Sequence, residues 1–251
     1  MSQPKIILHW LDQSRSHRIL WLIEELGLDY DLKIYSRTKA FRAPIELERV
    51  HPLGKSPVIE IAYLDGSSKV IAETGHIIAY LLQNFDVNRK LTGKTEFEVE
   101  QVDYFLHYSE GTLQPLLVGL FVNDLAVHRA PFGTRTIMHQ LTKGINNAYY
   151  GSELVKNLNY LENIIREQHS KGSKYFVGSF LTAADIILLF PLRSNLFDNA
   201  KRLSASLPGV DFKKDYSHLY QWCVDTMDEP VLVRCNELVT KEESKISASM
   251  L

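Results

Sequence analysis

The hydrophobic pattern of this chain changes character once, near residue 95, and that change limits the folds open to it. Before it, runs alternating at every second residue are interleaved with runs that repeat every third or fourth. After it, only the helical repeat remains. Period 2 lays one face of a strand on a core, and period 3.6 lays one stripe of a helix there. Lys5 to Trp10 reads as a strand, Arg15 to Leu26 as an amphipathic helix stopped by Gly27, and Tyr30 to Tyr35 as a second strand. Pro44 to Val50 is a short helix. Pro57 to Tyr63 and Lys69 to Ala72 are strands joined at Asp65-Gly66, and Thr74 to Phe85 is a helix. The order βαβαββα favours a parallel pair first and an antiparallel hairpin last.

The remainder is helical: Glu96 to Val127 with a bend at Pro115, Thr134 to Tyr150, Glu153 to Gln168, Ala183 to Leu192, Tyr216 to Met227 and Pro230 to Leu238. Thr182 followed by Asp185 gives a capping-box pattern before the most apolar of these helices. The expected organisation is an α/β domain over residues 1–86, a linker over 87–95, an all-α domain over 96–240 and a flexible tail over 241–251.

Composition removes several classes of function. The 251 residues carry a formal net charge of −2, and no cluster of Lys and Arg stands out, so nucleic acid is not an expected partner. No apolar run approaches the roughly 20 residues that span a bilayer, so no transmembrane segment is expected. Cys223 and Cys235 lack Cys-x-x-Cys spacing, which suggests a reducing compartment with neither a metal site nor a dithiol centre. His9, His51 and His76 show no metal-ligand spacing. No phosphate loop or dinucleotide glycine pattern is present.

Two segments look built to hold a ligand. One is the loop His51-Pro52-Leu53-Gly54-Lys55-Ser56-Pro57, just before a strand. Ser56-Pro57 is a candidate cis peptide, and a tight turn there would leave the Ser56 backbone facing a peptide-like partner. The other is Ala72-Glu73-Thr74-Gly75, where a helix N-terminus offers unpaired N–H groups to a carboxylate. Ser14, at the start of the first helix, suits a third task. A hydroxyl and a helix dipole together stabilise a thiolate. No cysteine lies there, so the thiol would come with the ligand. An ordinary thiol of pKa about 8.5 is only ~3% ionised at pH 7. Lowering that pKa by about two units requires about 2.7 kcal/mol. A hydroxyl donating to a charged acceptor supplies roughly 1.5–3 kcal/mol. A simple N-cap is the plainer alternative for Ser14. The Tyr104, Phe105, Tyr108 cluster either packs in a core or lines an apolar pocket.

With these motifs in hand the chain resembles the soluble glutathione transferases, most closely the fungal glutathione transferases with bacterial relatives. The resemblance runs from about Lys5 to Leu238. It rests on Trp10-Leu11-Asp12-Gln13-Ser14-Arg15-Ser16-His17-Arg18, Trp21 to Gly27, His51 to Pro57, Glu73-Thr74, Glu110 to Pro115 and Leu181 to Asp185. It implies a thioredoxin-like N-terminal domain that binds glutathione and an all-helical C-terminal domain that supplies a hydrophobic-substrate pocket. Ser14 falls where serine-type members keep the hydroxyl that meets the glutathione sulfur. Ser56, before Pro57, falls where the backbone pairs with the cysteinyl part. Glu73 and Thr74 fall where the γ-glutamyl end is held, and Lys55 where a basic residue meets the glycyl carboxylate. Leu11, Tyr104, Tyr108 and Leu116 are the expected pocket wall. The chain departs from the family pattern in carrying His51 for Asn, and Ser56 for the usual Val or Ile. Ser16, two residues after Ser14, is a rival for the thiol-activating role.

The implied activity is conjugation of glutathione to electrophilic hydrophobic compounds, with peroxidase activity on organic hydroperoxides as a companion. Glutathione would be a co-substrate, with no tightly bound cofactor. The implied assembly is a homodimer in the cytoplasm. A peripheral association with an organelle membrane would leave no mark in such a sequence. A non-catalytic glutathione-binding or scaffold relative is the first alternative. A glutathione-dependent disulfide reductase is the second, ranked lower because it calls for a cysteine at the Ser14 position.

Overall fold

The computed structural model describes residues 4–249 apart from Gln13 and Pro208. The chain divides into two compact units, Met1–Thr95 together with Met227–Leu251, and Glu96–Thr226.

In the first unit the elements are β1 (Lys5–Leu11), α1 (Ser16–Glu25), β2 (Tyr30–Tyr35), α2 (Ile45–Val50), β3 (Val58–Ala62), β4 (Ser68–Ala72) and α3 (Thr74–Phe85). The four strands form one sheet in the order β2-β1-β3-β4. β1 runs parallel to β2, antiparallel to β3, and β3 antiparallel to β4. The expected βαβαββα order is present, with its parallel pair first and its hairpin last. Ile6, Leu8, Val58, Ile59 and Ile61 are buried from the sheet, and Ile77, Ile78 and Leu81 from α3.

Helix α1 is buried almost all round: Ile19, Leu20, Trp21, Leu22 and Ile23 are each fully enclosed. A helix lying on a sheet needs a second cover for that. The cover comes from the far end of the chain. Helix α12 (Pro230–Ser249) belongs to this unit, and His17 Nε2 on α1 lies 2.6 Å from Asn236 Oδ1 on α12. Leu232, Cys235 and Val239 form a buried stripe at helical spacing. The helix runs through Lys241–Ser249, the part expected to form a flexible tail. Met250 and Leu251 lie outside the described residues.

The segment after α3 is irregular but tightly tied. The Asp86 carboxylate accepts the N–H groups of Lys90, Leu91 and Thr92 and the Thr92 hydroxyl, all within 2.6–2.8 Å. Lys90 Nζ donates to the Glu25 carboxylate and its backbone oxygen, each at 2.7 Å. These residues belong to the first unit.

The second unit is helical, with α4 (Glu96–Tyr108), α5 (Gln114–Arg129), α6 (Arg135–Ile145), α7 (Gly151–Ser170), α8 (Ala183–Leu189), α9 (Ala200–Ser206), α10 (Phe212–Asp215) and α11 (Ser217–Met227). The expected bend near Pro115 is a wide turn at Ser109–Leu113, between α4 and α5. Proline has no N–H for the carbonyl four residues before it, so the ladder must re-route there. Gly151 does not end a helix, although the sequence suggests two separate helices around it. The chain stays helical from Arg135 to Ser170, with a second wide turn at Asn146–Tyr150. A Cβ on Gly151 would lie 2.3 Å from a Leu207 methyl and 2.9 Å from the Asn146 carbonyl oxygen. Its bareness serves a close approach rather than a break.

The core of this unit is organised by Asp185, which is fully buried. Its Oδ2 accepts the Thr182 N–H and hydroxyl, both at 3.0 Å, completing the capping box of α8. Its Oδ1 accepts the Phe176 N–H at 2.9 Å and the Trp222 indole N–H at 3.1 Å. Burial pushes this carboxyl up to about 6, against four donors that favour the ionised form. Trp222 in turn packs edge-on against Phe176, and Phe176 against Phe105.

Two predictions follow from these cores. Asp185→Asn turns an amide nitrogen toward N–H donors, and urea unfolding should show a loss of about 3 kcal/mol. A loss below about 1 kcal/mol would contradict the anchoring role. Cys223 and Cys235 are both enclosed, and burial pushes their thiols up, Cys235 to about 12. In the folded protein at pH 8, a colorimetric thiol reagent should find neither until the chain unfolds; prompt reaction of either contradicts that burial.

Candidate active site

The sheet register gathers the ligand-holding segments at one edge. His9, near the end of β1, pairs with Val58, the first residue of β3. Val58 pairs on its other side with Ala72, the last residue of β4. The loop into β3, the turn out of β4 and the turn out of β1 therefore leave the sheet at the same end. Those three turns carry Ser56-Pro57, Glu73-Thr74 and Ser14.

The loop into β3 contains the expected cis peptide at Ser56-Pro57. Gly54 takes φ +54°, and a Cβ there would meet Glu48 Cγ at 2.7 Å, so this turn requires glycine. Its N–H bonds the His51 carbonyl at 2.8 Å. Pro57 is buried, Ser56 half-buried and Lys55 exposed. Among the described residues, no turn or loop backbone bond engages the Ser56 N–H or C=O. Glu73 is the N-cap of α3 with φ +74°, its side chain exposed, while Thr74 is buried in the first helical turn. The first turn of α3 holds no acidic residue, which leaves its positive end available to an anion.

Ser14 lies one residue before Arg15, the N-cap of α1. Its Oγ accepts the Ser16 N–H at 3.2 Å and lies 2.8 Å from Ser16 Oγ. Ser16 Oγ is 2.5 Å from Ser56 Oγ, and the Ser56 hydroxyl donates to the His9 carbonyl at 3.0 Å. Ser14 and Ser56 are themselves 3.5 Å apart. The first turn of α1 has no acidic residue. Burial keeps His17 below its ordinary range, so it is a neutral neighbour. The turn after β1 is tied down by Arg37, whose N–H donates to Asp12 Oδ1 at 2.9 Å and whose Nε donates to the Asp12 carbonyl at 3.1 Å. Sequence reasoning assigned Ser56 a backbone role and missed its hydroxyl. It also missed Arg37, which carries no motif signal.

The expected pocket-wall residues fall in both units. Leu11 is buried at the end of β1 in the first. Tyr104, Tyr108 and Leu116 belong to the helical unit. The Tyr104 and Tyr108 rings stack at 5.7 Å, and the Tyr108 hydroxyl donates to Asn157 Oδ1 at 2.7 Å. Burial and the neighbouring tyrosines Tyr104 and Tyr160 hold the Tyr108 hydroxyl in its neutral form. Leu116 is enclosed, whereas Tyr104 is 41% exposed and is the more accessible of the three. A separate cleft of about 430 Å³ between α5 and α6 is lined by Asp124, His128, Arg135, His139 and Thr142, and none of the expected residues lies on it. Among the described residues no group of three or more His, Cys, Asp or Glu is placed to hold a metal. No helix among them is long and apolar enough to cross a membrane.

Comparison with known proteins identifies the family and the fold. The glutathione S-transferase N-terminal domain model matches residues 4–83, and a glutathione S-transferase C-terminal domain model matches residues 135–218. Glutathione S-transferase 1 of Saccharomyces cerevisiae is 37% identical over 195 residues, 77% of this chain and 82% of that protein. A glutathione S-transferase structure from Actinobacillus pleuropneumoniae is similar at TM-score 0.64 and 30% identity, covering 92% of this chain and 91% of that one. A glutathione transferase homolog from Lodderomyces elongisporus, solved with two GSH per subunit, aligns at TM-score 0.67 and 21% identity over 95% and 99% of the two chains. The fold is a thioredoxin-like sheet unit joined to an all-helical one, and the chain belongs to the glutathione S-transferase family, with relatives among fungi.

Proposed function

We propose that this protein is an active glutathione S-transferase whose Ser14 hydroxyl donates to the sulfur of bound glutathione. The observation that carries this reading is the placement of Ser14. Its oxygen is held by the Ser16 N–H at a helix N-terminus with no acid in the first turn, and its hydroxyl can turn from Ser16 Oγ to a ligand. Both protein thiols are buried and un-ionised, so the reacting sulfur must be the ligand's. Glutathione has two carboxylates, an ammonium and a peptide-like middle. The Lys55 ammonium suits the glycyl carboxylate. The Ser56 backbone suits the cysteinyl amide, Glu73 the ammonium, and the α3 N-terminus at Thr74 the γ-glutamyl carboxylate. Pro57 fixes the turn that presents Ser56.

The chemistry follows from charge. The thiol loses its proton to solvent, and the thiolate is held by the Ser14 hydroxyl and the α1 dipole. Its lone pair attacks the electrophilic carbon of an apolar substrate, forming a carbon–sulfur bond as the leaving group departs. Reduction of an organic hydroperoxide would use the same thiolate. Tyr104, Tyr108 and Leu116 of the helical unit are the side chains proposed to receive the apolar substrate, and a cytoplasmic homodimer is the proposed assembly.

The test is the conjugation rate with a generic aromatic electrophile across pH. Ser14→Ala should lower kcat/KM at pH 7 by up to about 25-fold, the fall in ionised thiol from about three quarters to ~3% when about two pKa units are lost. The loss should shrink as pH rises toward the free thiol pKa. A wild type that binds glutathione without conjugation or peroxidase turnover contradicts the transferase reading and favours a glutathione-binding role. A Ser14→Ala profile matching the wild type removes Ser14 from the mechanism.

A further inference from the structure

The three serines at this end of the sheet form a continuous chain of hydroxyls, with Ser56 half-buried, Ser14 8% exposed and Ser16 fully enclosed. Ser16 is fully buried, so it can act on a bound sulfur only through another group. Its Oγ sits between Ser14 Oγ at 2.8 Å and Ser56 Oγ at 2.5 Å. Ser56 occupies the position before the cis-proline. A serine there adds a donor that a Val or Ile could not.

Resting on the transferase reading above, we propose that Ser16 and Ser56 are positioning residues that orient and polarise the Ser14 hydroxyl. Each hydroxyl has one proton, so the chain can run in only two directions. With the Ser56 hydroxyl on the His9 carbonyl, at 3.0 Å, Ser16 donates to Ser56 and Ser14 donates to Ser16. In that direction Ser14 points away from a ligand. When a thiolate arrives, the reverse direction is favoured. Ser56 donates to Ser16, Ser16 donates to Ser14, and Ser14 donates to the sulfur. The Ser16 N–H stays on Ser14 Oγ in both, at 3.2 Å, and holds that oxygen in place. The change needs three hydroxyl rotations and gives up the Ser56 bond to the His9 carbonyl, in exchange for the bond from Ser14 to the thiolate. Successive donors polarise one another, so the last hydroxyl in the row is a stronger donor than a lone serine.

Charged and titratable groups flank the three hydroxyls. From α1 come Arg15, His17 and Arg18, from the turn before it Asp12, from the loop Lys55, and from β1 His9. Burial holds both His9 and His17 below the ordinary imidazole range; His9 Nδ1 pairs with the Tyr35 hydroxyl and His17 Nε2 with Asn236. The variants below leave every one of these residues in place.

The experiment is an ultraviolet titration of the thiolate of glutathione bound to the protein. Ser16→Ala and Ser56→Val should each raise the pKa of the bound thiol by about half a pH unit. Ser56→Thr, which keeps the hydroxyl, should leave it at the wild-type value. Ser56→Ala serves as a second variant should the branched Val disturb the turn. In the Ser14→Ala background, adding Ser16→Ala should change nothing further, because Ser16 acts through Ser14. A wild-type thiol pKa in Ser16→Ala and in both Ser56 variants overturns the relay while leaving the transferase reading intact. An equal further rise in the double variant also overturns it, since Ser16 would then act independently. A wild-type protein that does not lower the thiol pKa at all overturns the transferase reading and the relay together.

Discussion

The pairing of β3 between β1 and β4 is the constraint from which the site follows. Register in a sheet is set in steps of one residue, and a slip of one turns every side chain to the other face. Ile59 and Ile61 share one face of β3 and are buried in the present register, so a slip of one would turn both to the face that now carries Glu60. That register sets Val58 beside both His9 and Ala72. The turn holding Ser56, the helix N-terminus at Thr74 and the turn holding Ser14 are thereby brought to one edge by core packing alone. The same packing puts the Ser56 hydroxyl against the β1 backbone, where it reaches the His9 carbonyl at 3.0 Å. A ligand-binding edge is here a by-product of burying an apolar strand.

The edge is then refined by polar contacts that ask little of the scaffold. Two helix N-termini without acidic first turns, α1 and α3, offer partial positive charge to anions. The thiolate needs about 2.7 kcal/mol of help at neutral pH, and one charge-assisted hydroxyl bond lies within reach of that. Rigidity matters as much as charge. Arg37 ties the turn before Ser14 through Asp12, and α12 covers α1 through Asn236 and His17. A donor held in place before the ligand arrives loses less entropy on binding than a mobile one.

Much of this was legible in the residues, and the rest was not for identifiable reasons. The strands and helices of the first unit follow from clean period-2 and period-3.6 runs, and Gly54 and Pro57 announce their turn. Ser14, Lys55, Ser56, Glu73 and Thr74 could be singled out because the spacing of their motifs resembles a known family. The helices expected over 134–150 and 153–168 run on through Gly151. A glycine between two helical runs reads as a break, whereas here it admits a Leu207 methyl that is distant in sequence. The placement of α12 against α1 was hidden likewise, since a stripe such as Leu232, Cys235 and Val239 does not name the surface that it covers. The Lys241–Ser249 segment looked too polar to be ordered, yet it continues a helix already anchored at its start. The hydroxyl chain through Ser56 depends on distances between residues 40 and 42 positions apart, which no local pattern records.

The central claim is that the sulfur of glutathione meets Ser14 at this sheet edge. A crystal structure of the protein with glutathione tests it directly. The account places the sulfur within hydrogen-bonding distance of Ser14 Oγ, the cysteinyl amide on the Ser56 backbone and the γ-glutamyl carboxylate at the α3 N-terminus. Glutathione seated elsewhere, or seated here with its sulfur out of reach of Ser14, would contradict it.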